Sequence, residues 1–200
     1  MIEIGKAMLL IRDHADEWHV DMDKIVINGY SAGAHNCAMF ANNWNSSVVT
    51  EALGCDGKDI KPEAMILGYP LTDYVYTQTK NGPEANMMIN FAYFGQVEPS
   101  EEALRQASPA LNVNENTPPA FIWATSQDEM VPVQNSMRMA HALADHNIPF
   151  ELHVFEEGPH GLSLADQSSS ASNAQINTDV AKWVDLAETW LRKRIELNLA

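Results

Sequence analysis

Short apolar runs alternate with stretches of helical spacing along the chain, and this alternation most constrains its fold. Four runs have the composition of buried strands: 24–30, 64–70, 119–125 and 149–155. Four stretches carry apolar side chains at helical spacing: 2–18, 32–44, 133–146 and 178–195. Strands that alternate with helices form parallel sheets covered on both faces. The sequence therefore predicts a three-layer α/β fold with a mainly parallel sheet of about four strands.

Residues 71–118 are irregular and rich in Asn, Pro and Gln, with short helical stretches at 84–94 and 100–107. Long connections of this kind often carry function. The chain has no internal repeat and no low-complexity linker. We therefore expect a single domain over residues 1–200, with 71–118 as a cap or substrate-facing insertion.

Charge and composition narrow the range of partners. The net charge of −15 argues against nucleic acid and anionic membranes as partners. No run of 18 apolar residues could span a membrane, and the first residues lack the features of a signal peptide. Cys37 and Cys55 are too few for a disulfide framework. These features predict a cytoplasmic protein.

The segment Gly29-Tyr30-Ser31-Ala32-Gly33 has the pattern G-x-S-x-G between a predicted strand and a predicted helix. In that context the pattern is typical of a nucleophile elbow, a turn so sharp that the residues two before and two after the serine must be small. The following helix directs its first N–H groups, including that of Ala32, toward developing negative charge. Ser31 is therefore the candidate nucleophile.

A serine hydroxyl needs a base, and His160 is the best placed of the seven histidines. It lies in a Gly/Pro loop directly after the last predicted strand, at the edge where parallel sheets carry their chemistry. His35 is one helical turn after Ser31, so it either lines the site or packs beside it.

The base needs an acid to orient it, and two aspartates follow predicted strands. Asp128 comes directly after residues 119–125, and Asp73 follows residues 64–70. The order Ser31, Asp128, His160 is the one expected for this architecture, so Asp128 is the preferred acid. Asp73, Tyr30, His35 and Tyr69 are candidates for residues that line the substrate site.

Three stretches of the C-terminal half resemble acetyl esterases and lipase-like α/β-hydrolases, including proteins similar to acetylxylan esterases. They read D-E-M-V-P-V-Q-N-S-M from 128, A-L-A-D-H-N-I-P from 142, and F-E-L-H-V-F-E-E-G-P-H-G-L-S-L-A from 150. The resemblance runs over nearly all of the chain and identifies Ser31, Asp128 and His160 with the family's triad by motif. It implies a serine esterase that releases small acyl groups, such as acetyl from carbohydrate. The sequence contains no phosphate loop and no H-E-x-x-H segment, so we expect no cofactor and no metal.

The chain departs from that family at its start. The family has further strands before the nucleophile strand and an H-G-G-G-type loop that donates to the oxyanion, and no H-G-G-G occurs here. The expected fold is therefore truncated at its N-terminal side, with Ala32 as the one identified oxyanion donor. A fragment, a second chain that supplies the missing half, and pairing with a second copy all stay open.

Other functions stay open beside the esterase. Without the second oxyanion donor, the chain could be a catalytically weak hydrolase-like protein or a binding module. A serine peptidase is the third alternative, because the same triad cleaves amides.

Overall fold

The computed structural model describes residues 1–196, and its centre is a sheet of four strands. The strands are β1 (Val26–Tyr30), β2 (Ala64–Gly68), β3 (Ala120–Thr125) and β4 (Phe150–Phe155). They lie in the order β1-β2-β3-β4, and each neighbouring pair is parallel. Tyr30 pairs with Gly68 and Thr125 with Phe155, so the carboxyl ends of the strands share one edge. The predicted α/β class and strand number are confirmed.

Nine α-helices connect and flank these strands within the described residues. They are α1 (Ile2–Asp13), α2 (Ala15–Trp18), α3 (Ala32–Asn43), α4 (Ser47–Leu53), α5 (Tyr74–Lys80), α6 (Pro83–Phe94), α7 (Glu101–Gln106), α8 (Gln134–Asp145) and α9 (Trp183–Arg194). Within residues 1–196, no helix combines the length and the apolar character that crossing a bilayer requires.

The sheet is buried on both faces, which explains why its central strands read as continuous apolar runs. Met65 and Leu67 of β2 pack into one core with α1, α3, α4 and α8. Ile66 of β2, with Phe121 and Trp123 of β3, packs into a second core with α9. Successive strand residues point to opposite faces, so this alternation produces the three layers.

The connection after β2 is fixed by one buried side chain of α8. The Oδ1 atom of Asn135 accepts the N–H groups of Thr72 and Asp73 at 3.0 and 2.8 Å. Its Nδ2 atom donates to the carbonyl of Pro132 and to the hydroxyl of Thr77, each at 3.1 Å. Because Asn135 is fully buried, these bonds satisfy groups that water cannot reach, and they set the path of the chain toward α5.

Candidate active site

Ser31 occupies a strained turn between β1 and α3. Its φ of 53° and ψ of −119° lie outside the common regions for a residue with a side chain. Its N–H donates to the carbonyl of Gly68 at the end of β2, at 2.9 Å. A Cβ atom at Gly29 would lie 2.4 Å from the backbone carbonyl of Gly33, so only glycine permits this close return of the chain.

Gly33 does not carry the same steric constraint. The G-x-S-x-G pattern predicts that small residues are required two before and two after Ser31, but a Cβ atom at Gly33 would meet nothing within 4 Å. The difference arises because the side-chain direction of Gly29 points into the first turn of α3, whereas that of Gly33 points outward from it. The tight approach therefore depends on Gly29.

Ser31, His160 and Asp128 form one hydrogen-bonded chain. The Oγ atom of Ser31 lies 2.7 Å from Nε2 of His160. Nδ1 of His160 lies 2.7 Å from Oδ2 of Asp128. The carboxylate can only accept, so Nδ1 carries the proton, and Nε2 is left to accept the Ser31 hydroxyl. Three residues from three different strand ends thus meet at the carboxyl edge of the sheet.

The carboxylate of Asp128 is held on both oxygens. Its Oδ1 atom accepts the backbone N–H groups of Met130 and Val131 at 3.0 and 2.9 Å, which leaves Oδ2 for His160. The side chain is 1% exposed, whereas the neighbouring Glu129 is exposed to solvent. The loop after β3 therefore directs Asp128, and not Glu129, toward the imidazole.

Asp73, the rival acid, lies in a different environment. Its Oδ1 atom accepts the N–H of Tyr76 at 2.8 Å and caps α5, and its Oδ2 atom pairs with Nε of Arg138 at 2.5 Å. It lines a separate cavity of about 510 Å³ together with Tyr76 and Arg138. The structure does not bring Asp73 to His160.

The loop that carries His160 contains a second glycine that no other residue could replace without strain. Gly158 has a φ of 145°, and a Cβ atom there would lie 2.8 Å from the side chain of Leu162. Its carbonyl accepts the hydroxyl of Thr125 at the end of β3, at 2.7 Å. Neither residue was predicted from the sequence, and the Gly-Pro pair before His160 is a signal that could have indicated Gly158.

A cavity of about 790 Å³ opens beside the acid and the base. Its lining residues come from the loops after β3 and β4: Ser126, Gln127, Asp128, Glu129, Met130, Gly158, Pro159 and His160. Ala32 lies in the first turn of α3 and is exposed. Within residues 1–196 its N–H has no hydrogen-bond partner, so it can donate to a bound group.

The other residues expected to line a substrate site are buried or packed together. His35 is 1% exposed, and its Nδ1 atom lies 3.2 Å from the carbonyl of Leu71. Tyr69 is 5% exposed, and the half-buried Tyr30 stacks on it with ring centroids 5.9 Å apart. None of Tyr30, His35, Tyr69 and Asp73 lines the cavity beside His160.

Residues 1–143 match the model of a protein family described as BD-FAE. The chain belongs to the BD-FAE family. It is 34% identical over 165 residues to endo-1,4-beta-xylanase B of Butyrivibrio fibrisolvens, a match that covers 82% of this chain and 24% of that protein. The chain spans between 24% and 38% of the length of the curated relatives that it matches.

Solved structures share the fold of this BD-FAE chain. The carboxylesterase Cest-2923 of Lactobacillus plantarum WCFS1 superposes with a TM-score of 0.82 and 27% identity, over 100% of this chain and 69% of that one. An acetyl ester-xyloside bifunctional hydrolase of Caldicellulosiruptor lactoaceticus gives a TM-score of 0.74 and 28% identity, over 95% and 64% of the two chains. The predicted resemblance to α/β-hydrolase esterases is thereby confirmed.

Other reactive side chains lie apart from this edge. Within residues 1–196, no group of three or more His, Cys, Asp or Glu side chains is arranged to hold a metal ion. Cys37 and Cys55 are free, and burial raises the pKa of the Cys37 thiol to about 11. The Cys37 thiol is therefore neutral and unreactive at ordinary pH.

We expect the substitution Gly29→Ala to destabilise the fold and to abolish any activity of Ser31, because the new methyl group collides with backbone that cannot move aside. The matched control is Gly33→Ala, which should leave stability within about 1 kcal/mol of the original chain. Urea unfolding and ester hydrolysis measure both variants. Equal effects of the two substitutions would contradict the steric account of the turn.

Burial of His35 should make stability depend on pH. Burial lowers its pKa from 6.5 to about 4, so the unfolded chain binds a proton at this residue before the folded chain does. The contribution of neutral His35 is therefore complete above pH 6.5 and is lost as the pH falls toward 4, by up to about 3 kcal/mol. Urea unfolding across this range should show a shallower pH dependence for His35→Gln than for the original chain. Parallel curves would contradict the assignment.

Proposed function

We propose that this chain hydrolyses carboxylic esters through an acyl-serine intermediate, with Ser31 as nucleophile, His160 as base and Asp128 as the residue that orients the base. The observation that carries the proposal is the continuous relay of two 2.7 Å contacts from the Ser31 hydroxyl through the imidazole to the buried carboxylate. Such a relay activates a hydroxyl that is a poor nucleophile alone.

The geometry suggests a complete proton pathway. As Ser31 Oγ attacks the ester carbonyl carbon, His160 Nε2 accepts the hydroxyl proton, and it then returns this proton to the departing alcohol oxygen. Water attacks the acyl-serine in the second half of the reaction, with His160 again taking and returning a proton. The acid leaves, and Ser31 regains its hydrogen.

The negative charge on the carbonyl oxygen needs donors in both tetrahedral intermediates. Among the described residues 1–196 the N–H of Ala32 has no hydrogen-bond partner, and it stands at the N-terminus of α3, where the helix dipole also favours negative charge. We assign Ala32 as one oxyanion donor. Removal of a single such donor typically costs about 10²–10³ in kcat, so the site depends strongly on how many donors are present.

Asp128 has two tasks in this proposal. It fixes the tautomer in which Nε2 of His160 is free to accept, and it offsets the charge of the imidazolium that forms. Because the side chain is 1% exposed and accepts two backbone N–H groups, it cannot rotate away without leaving those groups unpaired.

The proposed substrates are esters of small acyl groups, such as acetyl groups on carbohydrate. Support comes from the solved hydrolase of Caldicellulosiruptor lactoaceticus that acts on acetyl esters and xylosides, to which this chain is 28% identical. The net charge of −15 and the exposed Glu129 at the cavity favour a neutral substrate over an anionic one.

We also propose that residues 71–118 act as a cap on a single domain. This segment contains α5, α6 and α7. It reaches the acid loop through Asn81, whose Nδ2 atom donates to the carbonyl of Met130 at 3.2 Å. Met130 also lines the cavity beside His160, so the segment is in a position to influence what enters.

Substitution of the two aspartates distinguishes the acids. We expect Asp128→Asn to lower kcat for p-nitrophenyl acetate by about 10⁴-fold, because the amide favours the wrong tautomer of the base. Ser31→Ala should reduce hydrolysis to the background rate. The control Asp73→Asn keeps the α5 cap and should stay within about threefold of the original kcat, since Asp73 does not touch the imidazole. An inactive but folded original chain would refute the proposed esterase.

Acyl-chain selectivity tests the proposed substrate class. We expect kcat/KM for p-nitrophenyl acetate to exceed that for p-nitrophenyl octanoate by at least about tenfold. Acetylated xylo-oligosaccharides should release acetic acid in a Ser31-dependent reaction, and p-nitroacetanilide should not be cleaved measurably. Preference for the octanoate would overturn the small-acyl assignment, and faster cleavage of the anilide would favour a peptidase.

A further inference from the structure

We propose that Tyr69 is a positioning residue for His160, and that it acts through both its ring and its hydroxyl. The inference rests on the proposed function, since it assigns Tyr69 a role in holding the base of that site.

The backbone at Tyr69 is held in an uncommon conformation. Tyr69 directly follows β2 with a φ of 38°, in the left-handed region that a residue with a side chain seldom adopts. Its N–H donates to the carbonyl of Trp123 on β3 at 2.6 Å. A strained backbone conformation of this kind persists only where surrounding contacts hold it in place, and such conformations cluster at functional sites. Here the conformation accompanies a side chain that crosses the carboxyl edge of the sheet toward the His160 loop.

The ring of Tyr69 contacts the imidazole directly. The two ring centroids are 4.9 Å apart, and their planes meet at 73°, an edge-to-face arrangement. The contact supports the imidazole on a side that neither Ser31 nor Asp128 covers with a hydrogen bond. A smaller aliphatic side chain at this position would leave the imidazole free to tilt.

The hydroxyl of Tyr69 fixes the loop beyond His160. It accepts the backbone N–H of Ser163 at 3.0 Å, while the Ser163 carbonyl accepts the indole N–H of Trp183 at 3.0 Å. Ser163 has a φ of 53°, and Gly161 has a φ of 85°, so this loop follows no regular path. Two aromatic side chains therefore take the place of a backbone ladder and hold both backbone groups of Ser163.

A role in core packing alone would need only the ring. Tyr30 shows this contrast, because it belongs to the same aromatic cluster and, within residues 1–196, its hydroxyl is hydrogen-bonded only to Asn28 on its own strand, whose Nδ2 atom donates to it at 3.3 Å. Burial raises the pKa of Tyr69, so its hydroxyl stays protonated at ordinary pH and remains a neutral partner for the Ser163 N–H. The bond to Ser163 is the feature that phenylalanine would remove without altering the shape of the core.

Kinetics of two variants separate the ring from the hydroxyl. We expect Tyr69→Phe to lower kcat for p-nitrophenyl acetate about tenfold with KM within twofold, because a misplaced base slows the chemical step more than it weakens binding. Tyr69→Leu should lower kcat about 100-fold. Because Tyr69→Phe keeps the ring and Tyr69→Leu does not, the tenfold difference in kcat between the two variants would measure the contribution of the ring contact. Tyr76→Phe, which removes a hydroxyl in the separate cavity with Asp73, is the control and should match the original chain. A Tyr69→Phe kcat within twofold of the original overturns the proposal.

A second readout does not require turnover. The proton between His160 Nδ1 and Asp128 should give a low-field NMR signal, assigned by its loss in His160→Gln. We expect this signal to weaken or vanish in Tyr69→Phe, together with at least about tenfold faster amide exchange at Ser163. If the original chain shows no Ser31-dependent hydrolysis, the proposed function fails, and the NMR signal alone decides the role of Tyr69. An unchanged signal in Tyr69→Phe overturns it.

Discussion

The return of the backbone at Gly33 to within reach of Gly29 is the constraint on which the site depends. A Cβ atom at Gly29 would lie 2.4 Å from that backbone, so only glycine allows β1 to turn into α3 within one residue. The turn forces Ser31 to a φ of 53° and places its hydroxyl at the carboxyl edge of the sheet, beside the first turn of α3. A relaxed turn would move the hydroxyl away from His160, and it would displace the N–H of Ala32 that we propose as an oxyanion donor.

The partners of Ser31 come from strands two and three positions away in the sheet, on loops without regular structure. Hydrogen bonds to those loops fix the positions of the Asp128 and His160 side chains. Backbone N–H groups of Met130 and Val131 fix Asp128, and side chains of Thr125, Tyr69 and Trp183 fix the loop of His160. The parallel sheet brings the three strand ends together, and these bonds reduce the remaining freedom to a 2.7 Å contact on each side of the imidazole.

The sequence predicted the four strands because each of them depends on a local pattern. Apolar runs bounded by turn residues identified β1 to β4, and G-x-S-x-G in a strand-to-helix context identified Ser31. The seven-residue helices α4 and α5 were not predicted, although the six-residue α7 was predicted within 100–107. The contact of Tyr69 with Ser163, 94 residues away, has no local signature, because it depends on one φ angle and on the path of an irregular loop. The sequence also does not show that the steric requirement for glycine is strict at Gly29 and absent at Gly33.

Covalent labelling of the intact chain tests most directly whether this turn and relay activate Ser31. A fluorophosphonate reacts with a serine only where a base has made its hydroxyl nucleophilic. Mass spectrometry of the folded chain after such treatment should show one adduct, mapped by peptide analysis to Ser31 and absent from His160→Gln. A folded chain without an adduct, or with the adduct on another residue, would contradict the account.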